Sequence, residues 1–416
     1  MKAFQIADCR LQISNRIRSS AGILRFAFCI LTFAFLGCNT LPVGYDQLRD
    51  RVTGASDTTL VADSAAGYLR YVPLGGSSML YLGRDTSYQS RVVVRFSIPD
   101  TMSLDSITSF QMVLHQSDTL ARMSFICRPC SLEWVESGVS WQMSDSFNHW
   151  MNPGGDFLPD TVATGTIAGD SITIDFKYAG LDSAHRAAIR KSGIGIFPQD
   201  TGIVAVYSGA AAATAPRLRV TYTNKGKETK RVISDIADAS LIDTIATRSN
   251  PLDLLVGSGV AFRAWLKFTI DSIPPEATIA RADLKFRPET KYHRTDTIVL
   301  AIHRLTESFT EKGANARFEA VPIGSASYFV PADSDTVVTI DIRSLVQFWT
   351  TYPDTLWTNH PAPDTNRPSD TLRNYGLLIN AAPEWSPLFR LRIPRSGDNA
   401  PRLEIQYVRP PEDRFK

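Results

Sequence analysis

The sequence predicts an all-β fold: two tandem antiparallel β-sandwiches, jelly-roll-like in type. Three observations predict it. Polar and apolar residues alternate with period two in many short runs. Asp-Thr pairs punctuate those runs. The chain also repeats itself once, at a separation that varies between about 166 and 185 residues.

The alternation is plain in Arg91-Val-Val-Val-Arg-Phe96, Phe110-Gln-Met-Val-Leu114, Ser171-Ile-Thr-Ile-Asp-Phe176 and Arg217-Leu-Arg-Val-Thr-Tyr222. Branched and aromatic residues dominate, as a pleated, half-buried surface favours. Asp-Thr recurs at Asp85, Asp100, Asp118, Asp160, Asp200, Asp296 and Asp335. An aspartate can bond its own backbone two residues on, so it starts a turn cheaply. Many short strands between such turns make a sandwich or barrel. Two stretches have helical spacing, residues 179–191 and 342–351, and each is expected to cap one end of a sandwich.

The repeat sets the expected domains. Leu80-Tyr-Leu-Gly83 matches Leu254-Leu-Val-Gly257, and Val94-Arg-Phe96 matches Leu266-Lys-Phe268. Ile107–Met112 matches Ile279–Leu284, Ile174-Asp175 matches Ile340-Asp341, and Pro216-Arg-Leu218 matches Pro401-Arg-Leu403. Leu132-Glu-Trp-Val-Glu-Ser-Gly138 aligns with Glu307-Ser-Phe-Thr-Glu-Lys-Gly313. The first copy is expected over residues 58–223 and the second over 230–408. A Lys- and Glu-rich linker at 224–229 separates them, and 409–416 is a tail. Each half is expected to close as its own sandwich, so that residues 58–223 fold alone.

Ahead of the repeat lies a leader. It carries Lys2, Arg10, Arg16, Arg18 and Arg25 against one acid, Asp8, then an apolar run from Phe26 to Gly37. That run is about 12 residues, and a spanning helix needs roughly 20. A basic start and a short apolar run ending in small residues describe a signal peptide. Leu36-Gly37-Cys38 resembles the bacterial lipobox. The resemblance implies a lipoprotein signal over residues 1–37, lipidation of Cys38, and a tether at 38–57 that leaves the protein anchored in a membrane by its lipid. Asn39, rather than Asp, points to the outer membrane.

Composition narrows the partners. Net charge is +2, but the leader holds five of the bases and one acid, so the remainder is slightly acidic. A nucleic-acid partner, which needs a basic face, is not expected. Cys127 and Cys130 align with Ile302 and Leu305 of the second copy, so they are expected to be buried and structural; a local disulfide is the alternative. No two of the six histidines have a metal-ligand spacing. No nucleophile elbow, phosphate loop or His-Glu-x-x-His occurs, so no enzyme and no cofactor are expected. Glu136 and Glu311 recur in both copies and are expected to bond loop amides.

The strings Ser78–Gly83, Trp134-Val-Glu-Ser-Gly-Val-Ser-Trp141, Asn152-Pro-Gly-Gly-Asp-Phe157 and Pro216-Arg-Leu218 follow one another in the first copy. In that order they resemble the DNRLRE-type bacterial β-sandwich domain, related to carbohydrate-binding modules. The second copy has Phe309 and Ala316 in place of the tryptophans and lacks the Pro-Gly-Gly tract. The resemblance implies a secreted or cell-surface setting; some such domains bind polysaccharide and others have no known ligand, so it does not by itself fix the function.

The candidate recognition surface is therefore the tract 134–157, and within it Trp141, His149, Trp150, Asn152 and Asp156. Sugar rings stack on aromatic planes, and Asn and Asp bond hydroxyls. The alternative is that Trp134 and Trp141 plug the sandwich end. The loss of Trp141, Trp150 and Asp156 from the second copy favours a role outside the shared core. The expected function is a lipid-anchored envelope protein binding polysaccharide or another extracellular polymer without catalysis. The alternative is a structural lipoprotein subunit that contacts envelope proteins.

Overall fold

The computed structural model describes residues 55–117, 121–245, 254–330, 336–362 and 364–409. The leader, Cys38 and most of the tether lie outside them, as do Asp118 and Asp335. The strands in chain order begin with β1 (Ala55–Val61), β2 (Ser64–Arg70), β3 (Met79–Arg84), β4 (Tyr88–Phe96), β5 (Ile107–His115) and β6 (Met123–Pro129). Next come β7 (Ala163–Ile167), β8 (Ser171–Phe176), β9 (Ile194–Pro198), β10 (Gly202–Tyr207), β11 (Arg217–Asn224), β12 (Lys227–Ile233) and β13 (Ile236–Thr244). The second half holds β14 (Leu254–Gly257), β15 (Ala261–Lys267), β16 (Thr278–Phe286), β17 (Glu289–His293), β18 (Thr297–Arg304) and β19 (Gly324–Phe329). It ends with β20 (Val338–Asp341), β21 (Leu377–Ala381), β22 (Phe389–Ile393) and β23 (Arg402–Val408).

These strands make two antiparallel β-sandwiches, as the alternation predicts. In the first lobe a seven-stranded sheet, β10-β3-β4-β9-β6-β7 with β13 on β4, faces a four-stranded sheet, β12-β11-β5-β8. In the second, β17-β22-β14-β15-β21-β18-β19 with β2 on β15 faces β1-β23-β16-β20. The inward residues of each strand build the cores. Val92, Val94, Phe125 and Ile196 meet Phe110, Met112, Ile174 and Leu218 in one lobe. Leu266, Leu300, Ile302 and Ile379 meet Leu284, Ile340, Leu403 and Trp349 in the other. The two expected helices are present as α1 (Ser183–Ser192) and α3 (Arg343–Thr351). Two short ones, α2 (Phe309–Lys312) and α4 (Thr355–Asn359), have no sequence forecast.

The register of the repeat can be checked pair by pair. Cys127 faces Ile196 as Ile302 faces Ile379. Met112 faces Ile174 as Leu284 faces Ile340, and Leu218 faces Met112 as Leu403 faces Leu284. Gly193 and Gly376 follow the same rule. Both have positive φ, and a β-carbon on either would strike a strand carbonyl, Val94's or Leu266's.

The expected boundaries do not hold. Residues 224–229 are no linker. Asn224 pairs with Lys227 across a two-residue turn in which Lys225 and Gly226 both have positive φ, the hairpin geometry that suits twisted strands. β12 then runs back along β11, and β13 pairs with β4 along all nine residues, from Ile236 with Phe96 to Thr244 with Tyr88. The first lobe therefore ends near residue 245, not 223. At the other end, β1 pairs with β23 and β2 with β15, so the strands from residue 55 to 70 belong to the second lobe. Each pair of strands that precedes a lobe in sequence, β1 with β2 and β12 with β13, completes the other lobe, giving one strand to each of its two sheets. Of the charged residues that suggest a linker, Lys225 sits in the turn, and Lys227 and Glu228 are exposed on β12, an edge strand, where charge blocks unwanted pairing.

This exchange locks the lobes together, and the described residues from Ser56 onward form one compact unit. Their junction has its own apolar cluster, including Leu74, Tyr81, Tyr88, Ile242, Phe262 and Leu388. Tyr88 Oη donates to the Phe389 carbonyl at 3.3 Å, and the Leu388 N–H donates to Tyr81 Oη at 3.3 Å. Arg390 lies over the Tyr88 ring and donates to Ser87 and Thr244.

Candidate functional site

The tract between β6 and β7 does not plug the end of the sandwich. It folds back over the outer face of the larger sheet. There Trp134, Val139, Trp141 and Trp150 pack on Val93, Ala239 and Leu241, forming a second core on the side of β4 away from the first. The second lobe has the same outer core, built differently. Trp265, at the position of Val93, rises from the sheet and stacks on Phe309 at 4.7 Å beside Ala316 and Leu378. Trp134 Nε1 donates to the Ser192 carbonyl at 2.8 Å, and Trp265 Nε1 donates to the equivalent Tyr375 carbonyl at 2.8 Å. The indole thus moves from loop to sheet between the copies and satisfies the same acceptor. Ala316 opposite Trp141 is the small half of that exchange, not the loss of a ligand-binding residue.

The predicted site residues separate accordingly. Trp141 and Trp150 are buried, and Trp150 Nε1 donates to the Ser140 carbonyl at 2.9 Å. Asp156 is buried too. Its carboxylate accepts the N–H groups of Met151 (2.8 Å) and Asn152 (3.0 Å) and the Asn152 amide (2.8 Å), so it staples the loop. These three residues offer no ligand surface; Asn152 is exposed but its amide is spent on that staple. His149 alone faces an opening.

Glu136 accepts the Asp238 N–H at 3.2 Å, a loop carboxylate bonding a backbone amide as expected, whereas Glu311 is exposed on α2. Cys127 and Cys130 are free and buried. Three residues apart on a strand, they face opposite sides, one in the sandwich core and one in the outer core. Burial pushes both thiols well above their ordinary range. Among the described residues no three His, Cys, Asp or Glu side chains converge as metal ligands.

The opening that His149 faces is a cleft of about 830 Å³. Its walls come from three places: the crossing segment that leaves β2, the tip of the 134–157 tract, and Asn315 of the second lobe. Arg70 and Tyr71 supply one side, and Ser140, Gln142, Asp145 and His149 the other. The tip is hydrogen-bonded within itself. Hydrogen bonds from the Asn148 amide and from the N–H groups of Phe147 and Asn148 hold Asp145 below the usual carboxylate range. Asp145 therefore presents a negative charge at neutral pH. A second hollow of about 450 Å³ shares Val72 and Pro73 with the first and reaches Glu384 and Trp385. Trp385 stands 46 % exposed in a turn between two cis X–Pro bonds, Ala382–Pro383 and Ser386–Pro387.

Crossing segment, loop tip and proline turn come together because the exchange of strands draws β2 onto the second lobe. No local motif announces that meeting, so Tyr71, Gln142 and Trp385 escape sequence reasoning. The arrangement can hold an elongated polar ligand, with amide, hydroxyl, imidazole and carboxylate groups in the cleft and an indole plane beside it.

The fold and cleft define a class: two interlocked β-sandwiches with an open groove at their junction. No protein-family model matches the chain, and no curated protein does. Among solved structures it is similar to the N-terminal tandem of two CBM22 domains of Xyn10C from Paenibacillus barcinonensis. That similarity spans 84 % of this chain and 100 % of the other, at 8 % identity and a TM-score of 0.16. A TM-score so low carries no argument about function. Among the described residues, no helix is long and apolar enough to cross a membrane.

Proposed function

We propose that this chain is an exported, lipid-anchored envelope protein that binds an extracellular polymer, a glycan, in the junction cleft without catalysis. The observation that carries the reading is the cleft itself. It is open, built by a hydrogen-bonded loop tip and both lobes, and lined by groups that suit sugar hydroxyls, with the half-exposed Trp385 plane next to it. Ligand grooves at the meeting of domains are a recurrent arrangement. The resemblance of the first copy to glycan-associated sandwich domains supports the same reading. The leader ending at Cys38 supports export and anchoring, and Asn39 supports the outer membrane.

A soluble chain of residues 39–416, screened on a glycan array, tests the polymer. Trp385→Ala and Gln142→Ala should each weaken the best hit about tenfold, which is about 1.4 kcal/mol. Both should leave the melting temperature unchanged. An array with no hits would defeat the proposal. Cys38→Ala should release the protein from washed membranes; retention with unchanged mass would defeat the anchor.

One observation favours a second reading, a protein partner in an envelope complex. Phe147 and Met151 are 89 % and 80 % exposed on the same loop. Crosslinking from Phe147 to a discrete envelope protein, with an empty glycan array, would favour it.

A further inference from the structure

The outer face of the first lobe holds a smaller pocket, about 230 Å³, that the cleft does not include. Gln89, Arg91, Arg128, Phe197 and Gln199 wall it. Strand alternation puts them there. Val92, Cys127 and Ile196 point into the sandwich, so their neighbours Arg91, Arg128 and Phe197 point out. Both guanidiniums lie over the one Phe197 ring, at 5.1 and 5.3 Å, and Arg91 also lies 5.1 Å from the Trp141 ring.

Neither arginine has an acidic partner among the described residues. Arg91 Nη1 donates to the Gly154 carbonyl at 3.0 Å, and the buried Nε of Arg128 has no hydrogen-bond partner. Burial first, and then the charge of Arg128, lower the proton affinity of Arg91. The nearby acids are occupied elsewhere. Asp243 accepts from Tyr71 and Gln89, and Asp200 accepts the Ser124 N–H.

The second lobe shows what such a position holds. Arg263 stands where Arg91 stands, because Ala264 faces Ile379 as Val92 faces Ile196. Arg263 donates Nε and Nη2 to the two oxygens of Glu384, each at 2.7 Å. Asn380, at the position of Phe197, donates to the same carboxylate at 3.3 Å. This is the fork-on-fork geometry that guanidinium offers a carboxylate. The corresponding turn of the first lobe reads Pro198-Gln199-Asp200 and has no glutamate, while Arg128 replaces His303. The first lobe thus keeps the arginine, adds another, and lacks the internal carboxylate.

We infer that this pocket takes the carboxylate of an external ligand, seated as Glu384 is seated in the other lobe. Resting on the glycan reading above, the ligand is a uronic-acid residue of an acidic polysaccharide. The pocket adjoins the cleft through one side chain, since Asp243 accepts from Gln89 of the pocket and from Tyr71 of the cleft.

The test titrates soluble residues 39–416 with trigalacturonate and with neutral maltotriose, by calorimetry. Wild type should prefer the acidic trisaccharide at least about tenfold, with a preference that falls as salt rises. Arg128→Gln should erase that preference. Gln199→Glu, which supplies an internal carboxylate, should erase it and raise the melting temperature. Absence of a preference in wild type, or a preference that survives both variants, would overturn the inference. Binding of either sugar that Trp385→Ala abolishes and Arg128→Gln spares would also overturn it, while leaving the cleft reading standing.

Discussion

Cutting the chain at residue 223, where the repeat suggests a boundary, should destroy the first lobe. A fragment of residues 58–223 keeps β3 to β11 but lacks β12 and β13. It loses the nine-residue pairing along β4 and the seven-residue pairing along β11. It also loses Ile233, Leu241 and Ile242, all buried, which contribute to the sandwich core, the outer core and the junction in turn. Each such side chain stabilises by about 1.5–3 kcal/mol, so the three together are worth about 5–9 kcal/mol. That is comparable to the whole stability of a typical domain, about 5–15 kcal/mol. Val93 and Leu218 would be uncovered as well. Residues 74–245, by contrast, hold every strand of the first lobe and none of the second. The assay is circular dichroism with thermal melting of both fragments. The longer-tailed fragment should melt cooperatively, and 58–223 should show no cooperative transition. If 58–223 melts cooperatively within a few degrees of 74–245, the exchange of strands is not what holds the lobe, and the reasoning fails.

Three further outcomes follow from the same geometry. Trp150→Ala should cost about 3–5 kcal/mol of stability because it empties the outer core; an unchanged melting temperature would return Trp150 to the surface. Glu384→Gln should cost about 3–5 kcal/mol, because it leaves the Arg263 cation buried and unpaired; denaturant titration showing a loss under about 1 kcal/mol would refute the pairing. Asp238 is buried and its carboxyl is pushed up to about 7, first by desolvation, despite the Gly209 N–H it accepts, with Glu136 adding to the rise. The folded chain therefore holds a proton that the unfolded chain, titrating near about 3.9, releases. Its contribution is full below about pH 4 and is lost as pH rises towards about 7, at up to about 1.4 kcal/mol per unit. Asp238→Asn should flatten that slope in denaturant titrations across this range; an unchanged slope would assign it to another group.

How much was legible in the sequence depends on the distance over which each choice is made. Strand alternation and the repeat register are local, and they survive in pairs such as Cys127 with Ile196 and Ile302 with Ile379. Docking of such a strand pair is not local. Nothing within β2 (Ser64–Arg70) or β13 (Ile236–Thr244) says whether it completes the lobe that follows it or the other one. The site suffered from a related blindness. Trp141 and Ala316 differ because the bulk of one contact moved to Trp265 across from it, and only the packed structure shows both halves of that exchange. A residue lost from one copy of a repeat is therefore evidence of function only after its contact partner has been compared as well. By that standard Trp150 and Asp156 are loop architecture, with their polar atoms spent on Ser140, Met151 and Asn152. Arg91 passes where they fail. Its counterpart Arg263 has a carboxylate in hand, and on the first lobe no side chain among the described residues takes that carboxylate's place.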